Sequence, residues 1–121
     1  MNRYFRVSPR FANSDENSFS APSSLESKLR PGDRLVLAEW DEGAKKGVCR
    51  AIGIVTAPGD GDGVTWVVWH QCRTEFYPNP PGYQQWRKPQ GWFQFARQVV
   101  ERYRLEALFS RHLPVLEESD A

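Results

Sequence analysis

The sequence is poor in cysteine, has almost no net charge and contains no long apolar run. Its two cysteines, far apart in 121 residues, fit a reducing interior better than a disulfide framework. A formal net charge of +1 excludes a histone-like basic protein. No apolar run approaches the ~20 residues that span a bilayer, and the first six residues lack the apolar stretch of a signal peptide. We therefore expect a cytoplasmic protein that is not associated with membranes.

Common catalytic, cofactor and metal motifs are also missing. There is no Gly-x-Ser-x-Gly elbow, phosphate loop or dinucleotide fingerprint. The soft metal ligands are Cys49, Cys72, His70 and His112, and none of them forms a Cys-x-x-Cys or His-x3-His pair. We expect no metal, no cofactor and no catalytic residue. A small enzyme acting on a nucleotide-like ligand stays open as a third interpretation.

What is present is enough apolar material for one folded domain. Hydrophobic residues make up 40% of the chain and charged residues 26%, which excludes wholesale disorder. A chain of this length can bury enough apolar surface for one stable domain, whereas two domains of half the length would each bury too little. We expect a single domain over residues 1–121, with an acidic, frayed tail at 115–121.

Three apolar segments separated by glycine-containing turns predict the centre of the fold. Residues 34–40, 48–56 and 64–70 have strand length, and the turns at 41–47 and 58–63 have hairpin composition. This order predicts an antiparallel meander. A short strand near the N-terminus, ending at Ser8-Pro9, precedes it.

The C-terminal third divides into two parts. The prolines of residues 73–92 argue against a helix there, and the rings of the segment are too apolar for a free linker, so we expect it to lie over the sheet. From Phe93 onward, apolar residues recur at steps of three and four and predict one helix. That helix would bury Val99 and Leu108 and expose Arg97 and Arg104.

Aromatic residues are the abundant class: the chain has 5 Trp, 4 Tyr and 7 Phe. Trp66 and Trp69 are three residues apart on one predicted strand, so they face opposite sides of the sheet. Flat rings on a strand surface can stack on nucleobases. The alternative is that the rings simply fill the core. The candidate ligand-binding residues are Trp40, Trp69, Trp86, Trp92 and Tyr83.

Positive charge is concentrated locally although the total is balanced. Residues 87–112 hold six Arg and Lys side chains against two Glu side chains, a local charge of +4. A positive region on a neutral body can bind a phosphate backbone, although an ordinary solvated helix face would give the same pattern. The candidate phosphate-binding residues are Arg6, Arg10, Arg87 and Lys88.

Three short motifs resemble the PUA-like superfamily and, within it, the EVE domains. They are the opening segment Arg3-Tyr4-Phe5-Arg6-Val7-Ser8-Pro9, the Gly32-Asp33 step before a strand, and Ala51-Ile52-Gly53-Ile54-Val55 in the next strand. The Trp-Asp-Gly-Val-Arg-Asn-like stretch that EVE domains usually carry before the Gly-Asp step is absent. The resemblance implies a PUA-like pseudo-barrel and binding of modified nucleobases in an aromatic-walled pocket, and related PUA-like domains bind RNA.

Together these observations predict an α+β domain. Its centre would be an antiparallel, PUA-like pseudo-barrel of five or six strands with flanking helices, including a C-terminal helix. The predicted function is non-catalytic recognition of nucleic acid, either DNA or RNA, through a flipped and modified base. The predicted site is a concave surface near Trp69, walled by at least one of Trp40, Trp86 and Trp92. The alternative is a protein-interaction module that docks a partner on residues 73–92.

Overall fold

Six strands and four short helices make up the fold in a computed structural model, which describes residues 2–12, 17–57 and 64–112. The strands are β1 Tyr4–Val7, β2 Ser18–Phe19, β3 Arg34–Asp41, β4 Lys46–Ala57, β5 Thr65–Phe76 and β6 Trp92–Gln94. The helices are α1 Ser23–Glu26, α2 Tyr83–Arg87, α3 Arg97–Arg102 and α4 Leu105–His112. Single 3₁₀ turns cover Pro9–Phe11 and Pro80–Gly82. The predicted frayed tail at 115–121 lies outside the described residues.

The six strands form one curled half-barrel sheet in the order β2-β5-β4-β3-β1-β6. β3, β4 and β5 are consecutive antiparallel neighbours, so the predicted meander is confirmed. β1 runs parallel to β3, with Phe5 opposite Leu35, and antiparallel to β6. The predicted α+β class with a C-terminal helix is confirmed, while a sheet with one parallel pair replaces the wholly antiparallel one.

Both faces of the sheet are covered, which explains why β3 reads as a continuous apolar run rather than an alternating one. One face carries what we call the C-terminal core: Tyr4, Val36, Ala38, Cys49, Ile52, Phe76, Trp86, Phe93, Phe95, Leu105 and Phe109. The other face carries the N-terminal core: Phe5, Val7, Phe19, Ala21, Leu25, Leu29, Leu35, Leu37, Ala51, Val55, Val67 and Trp92. Neighbouring residues of a strand therefore enter different cores, as Tyr4 and Phe5 do.

The segment 73–92 is not free of helix, contrary to the prediction. Its first residues extend β5 to Phe76, and residues 83–87 form α2. The prolines at 78, 80, 81 and 89 all lie outside those five residues, so none of them removes a hydrogen bond from the helix interior. Its middle part does lie over the sheet, because Trp86 of α2 is buried in the C-terminal core, whereas its two ends belong to the sheet itself as β5 and β6.

The single C-terminal helix is also replaced, by β6 and two helices. Arg104 has a φ of +55°, the left-handed conformation that ends helices, and it separates α3 from α4. Because α4 starts anew, its fully buried residues are Leu105 and Phe109, whereas Val99 and Leu108 are only half-buried. Arg97 and Arg104 are exposed, as predicted.

Candidate functional site

The five candidate aromatic residues lie in two groups on opposite faces of the sheet. Trp40, Tyr83 and Trp86 meet against the C-terminal core, with ring centres 5.7 Å apart for Trp40 and Trp86 and 5.3 Å apart for Trp40 and Tyr83. Trp69 and Trp92 pack against the N-terminal core instead. The sheet separates the two groups, so no single wall contains all five rings.

The N-terminal pair is tied to its own surroundings. The ring centre of Trp69 is 6.3 Å from that of Phe19, a residue of the N-terminal core. Trp66 does not pack in that core and is 53% exposed. The indole nitrogen of Trp92 donates to the Ser24 hydroxyl at 3.1 Å. Trp69 and Trp92 are therefore held by side chains of the fold, whereas Trp86 lines a cavity that is described below.

Trp86 is pressed against the backbone of β4. A Cβ atom at Gly47 would lie 2.3 Å from the Trp86 ring, so the indole occupies the space that the side chain of any residue other than glycine would need at position 47. The Arg6 guanidinium lies 5.1 Å from the ring centre and donates from Nε to the Ala38 carbonyl at 2.9 Å. Burial, with a smaller contribution from the charge of Arg10, lowers the pKa of Arg6 to about 10. Only 4% of Arg6 is exposed, so its guanidinium is not accessible to a phosphate.

The carboxylate of Glu42 joins α2 to the turn between β3 and β4. Glu42 accepts from the Trp40 indole at 2.8 Å, from Lys45 at 2.9 Å and from Arg87 at 2.9 and 3.0 Å. The hydrogen bonds from Lys45, Trp40 and Arg87 lower the pKa of Glu42 to about 2. Arg87, one of the candidate phosphate contacts, is therefore already bound to a carboxylate.

The remaining basic candidates differ in their surroundings. The exposed Arg10 lies 4.8 Å over the Phe11 ring and donates to the Pro89 carbonyl. Lys88 is exposed at the end of α2, on the rim of a cavity. Lys88 is thus the basic candidate that the structure places beside an aromatic cavity.

That cavity, which we call the α2–α3 cleft, lies between residues 78–88 and 93–103. Its volume is about 530 Å³, within the roughly 300–1,000 Å³ typical of ligand pockets. Four aromatic side chains line it: Trp86, Phe93, Phe95 and Tyr103. They contact one another edge to face, with successive ring centres 5.2, 5.0 and 6.3 Å apart.

The polar residues of the α2–α3 cleft are amides and cations. Four amides line it: Asn79, Gln84, Gln85 and Gln98. Lys88 and Arg102 supply positive charge, and no carboxylate, histidine or cysteine stands among the described lining residues. Burial raises the pKa of Tyr103, and its phenol hydroxyl can donate a hydrogen bond. The cleft thus combines amide groups and positive charge with four aromatic side chains, of which Tyr103 is half-buried and the other three are buried.

Most of this cleft was missed from the sequence. The spacing of Phe93, Phe95 and Tyr103 predicts one helix, and Arg102 belongs to the predicted positive region of residues 87–112 without being one of the named phosphate candidates. Phe93 and Phe95 alternate with the polar Gln94, and such alternation is typical of a strand. This pattern could have predicted β6.

The cysteines and histidines lie elsewhere. Cys49 is buried, and its hydrogen bond with Cys72 and its burial both raise the pKa of its thiol. The ring centres of His70 and His112 are 5.3 Å apart. Within residues 2–12, 17–57 and 64–112, no three His, Cys, Asp or Glu side chains are grouped so that they could hold a metal ion.

No protein-family model matches the chain, and no curated protein matches it. Among the helices of the described residues, none combines the length and apolar character needed to traverse a bilayer.

Proposed function

We propose that this protein recognises nucleic acid without transforming it, taking one nucleobase into the α2–α3 cleft. The observation that carries the proposal is the lining of the cleft, in which four aromatic side chains stand beside Lys88 and Arg102 with no carboxylate among the described lining residues. Aromatic surface suits the base, and positive charge suits the phosphates on either side of it. This is the combination that single-stranded nucleic acid requires.

The energetics of such binding are favourable for a displaced base. Taking a base out of a stack costs a few kcal/mol. Each contact between a base and an aromatic side chain returns about 1–3 kcal/mol. Tyr103 is half-buried and has ring surface for such a contact, whereas Trp86, Phe93 and Phe95 are buried and reach the cleft with little of their surface. The amides of Gln84, Gln85 and Gln98 can both donate and accept, so they can hydrogen-bond to a base edge. The resemblance to EVE domains favours a modified base as the ligand.

The protein-interaction alternative depends on exposed aromatic surface in residues 73–92. Of the rings in that segment, Tyr77 is exposed, whereas Trp86 and Trp92 are buried. A single exposed ring gives a docking surface little of the apolar area found at the centre of a protein interface.

An enzymatic site would need a titratable group to act as acid, base or nucleophile. The basic groups lining the cleft are Lys88 and Arg102.

The salt dependence of oligonucleotide binding tests the proposal. Each phosphate contact to a single strand contributes a slope of about −0.7 to the plot of log affinity against log salt concentration. We expect Lys88→Ala and Arg102→Ala each to weaken binding and to reduce that slope by about 0.7. Arg97→Ala is the matched control, because Arg97 is exposed on the same helix as Arg102 and pairs with Glu101, outside the cleft.

Two results would oppose the proposal. Binding that is indifferent to ionic strength would remove the phosphate contacts. An equal effect of all three substitutions would show that the protein responds to net charge and not to the position of Lys88 and Arg102.

A further inference from the structure

A second cavity adjoins the α2–α3 cleft at the end of α3. It has a volume of about 360 Å³ and is lined by Thr74, Glu75, Phe76, Tyr77, Arg102 and Tyr103. Arg102 and Tyr103 line both cavities, so these two residues stand between them. A ligand that fills the cleft and continues past Arg102 would therefore enter the second cavity.

Tyr77 gives this second cavity an aromatic surface that the fold does not use. Its side chain is 63% exposed, although large aromatic residues are usually buried. The hydroxyl donates to Glu75 at 3.1 Å, which restrains one end of the ring. A restrained, exposed ring beside a cationic side chain has the properties of a stacking platform for a base.

The charge of the second cavity is compatible with a phosphate nearby. Glu75 is its one acidic lining residue, and it forms an ion pair with Lys46. That ion pair compensates the negative charge of Glu75. Arg102, which stands between the two cavities, supplies the positive charge that a phosphate between two nucleotides would need.

We infer that the protein binds at least two consecutive nucleotides of a single strand. One base occupies the α2–α3 cleft, the next stacks on Tyr77, and Arg102 contacts the phosphate between them. This inference rests on the proposed function and extends it, because it makes an oligonucleotide the ligand rather than a free nucleoside or nucleotide.

The experiment compares mononucleotides with dinucleotides. Affinities of the nucleoside 5′-monophosphates and of the corresponding 5′-phosphorylated homodinucleotides, in ribose and deoxyribose form, are measured by calorimetry. We expect the dinucleotide to bind more tightly than the mononucleotide. Tyr77→Ala should weaken dinucleotide binding at least about fivefold, the lower limit for the loss of one stacked base, and leave mononucleotide binding unchanged.

Two further variants make the test specific. Tyr77→Phe keeps the ring but loses the hydrogen bond to Glu75, so it should retain most of the dinucleotide affinity, unlike Tyr77→Ala. Trp66→Ala is the matched control, because Trp66 is a similarly exposed aromatic residue near the opposite end of β5. It should change neither affinity.

The possible failures are distinguishable. If mononucleotides bind and Tyr77→Ala leaves dinucleotide binding unchanged, the second subsite is overturned and the proposed function stands. Equal loss of affinity for both ligands in Tyr77→Ala also overturns the second subsite, because the effect is then not local to it. If neither ligand binds, the proposed function fails and this inference fails with it.

Discussion

Replacing Gly47 by alanine would test the placement of Trp86 directly. Gly47 lies opposite Trp40 on one side and Phe76 on the other within the sheet. A Cβ atom there would lie 2.3, 2.6 and 2.8 Å from three carbons of the Trp86 ring, which is closer than real Cβ contacts occur. The ring must therefore move away from β4 to admit one methyl group.

The magnitude follows from packing. An added methylene in a well-packed core typically costs about 1–3 kcal/mol. Displacing Trp86 would also disturb its stacking on Trp40 and its edge contact with Phe93. We expect Gly47→Ala to lower the free energy of unfolding by about 1–3 kcal/mol and to weaken nucleotide binding, because Trp86 lines the α2–α3 cleft.

Two glycine controls separate the effect on binding from the effect on stability. A Cβ atom at Gly53 would lie 2.6 Å from the Trp69 ring, so Gly53→Ala should be destabilising for the same reason. Trp69 packs against the N-terminal core, so nucleotide affinity should be unchanged. Gly43→Ala meets only an ordinary contact of 3.5 Å and should leave both quantities near their original values.

Urea unfolding followed by tryptophan fluorescence gives the stabilities, and calorimetry under conditions where every variant is folded gives the affinities. A Gly47→Ala variant as stable as the original protein would show that Trp86 does not lie against β4. An equal loss of affinity in Gly47→Ala and Gly53→Ala would attribute the loss to general destabilisation. Unchanged binding in a destabilised Gly47→Ala variant would remove Trp86 from the site.

Two further predictions concern the packing of α4 and the Glu42 carboxylate that joins α2 to the turn between β3 and β4. Leu105→Ala should lower the free energy of unfolding by about 2–5 kcal/mol, as for other buried leucines. Leu108→Ala should lower it by clearly less, because Leu105 is fully buried and Leu108 only half-buried. Equal denaturation midpoints for the two variants would contradict the register of α4. Glu42→Gln should lower stability at neutral pH, because the pKa of Glu42 falls from its usual 4.5 to about 2 in the folded protein. Such a carboxylate stabilises fully above its unfolded pKa, and its contribution is lost as the pH falls through the folded value. The difference between Glu42→Gln and the original protein should therefore be constant above about pH 5 and shrink toward pH 2, and a difference independent of pH would contradict the ion-pair network.

The meander could be predicted because its signals are local. Apolar segments of strand length and glycine-containing turns decide the pairing of neighbouring strands. The ends of the strands were less accessible, because β4 and β5 continue through irregular pairings at Cys49/Ala51 and Val55/Ala57. A bulge depends on how two strands meet, and neither strand alone reports it.

The C-terminal region could not be predicted because tertiary contacts override its local pattern. The residues from 93 onward satisfy a helical period, yet the first of them pair with β1 as β6. The break at Arg104 requires a left-handed backbone at a residue that is not glycine or asparagine, so no sequence signal marks it. The parallel pairing of β1 with β3 likewise joins segments about thirty residues apart.

The sequence predicts that each tryptophan is either a core residue or a wall of the site. Trp86 is both, because it is 4% exposed, packs on Gly47 and Trp40, and also lines the α2–α3 cleft. A substitution at Trp86 therefore changes stability and binding together, and it cannot separate the two roles.

The residues that can separate them lie on the rim of the two cavities. Lys88, Arg102 and Tyr77 are exposed and contribute little to either core. Substitutions at exposed positions usually change the free energy of unfolding by less than about 0.5 kcal/mol. A loss of oligonucleotide affinity at these three positions, with an unchanged unfolding midpoint, would therefore report on binding alone. The floor of the cleft is supplied by the core, so in the proposed function the preference for a charged, single-stranded ligand must come from this rim.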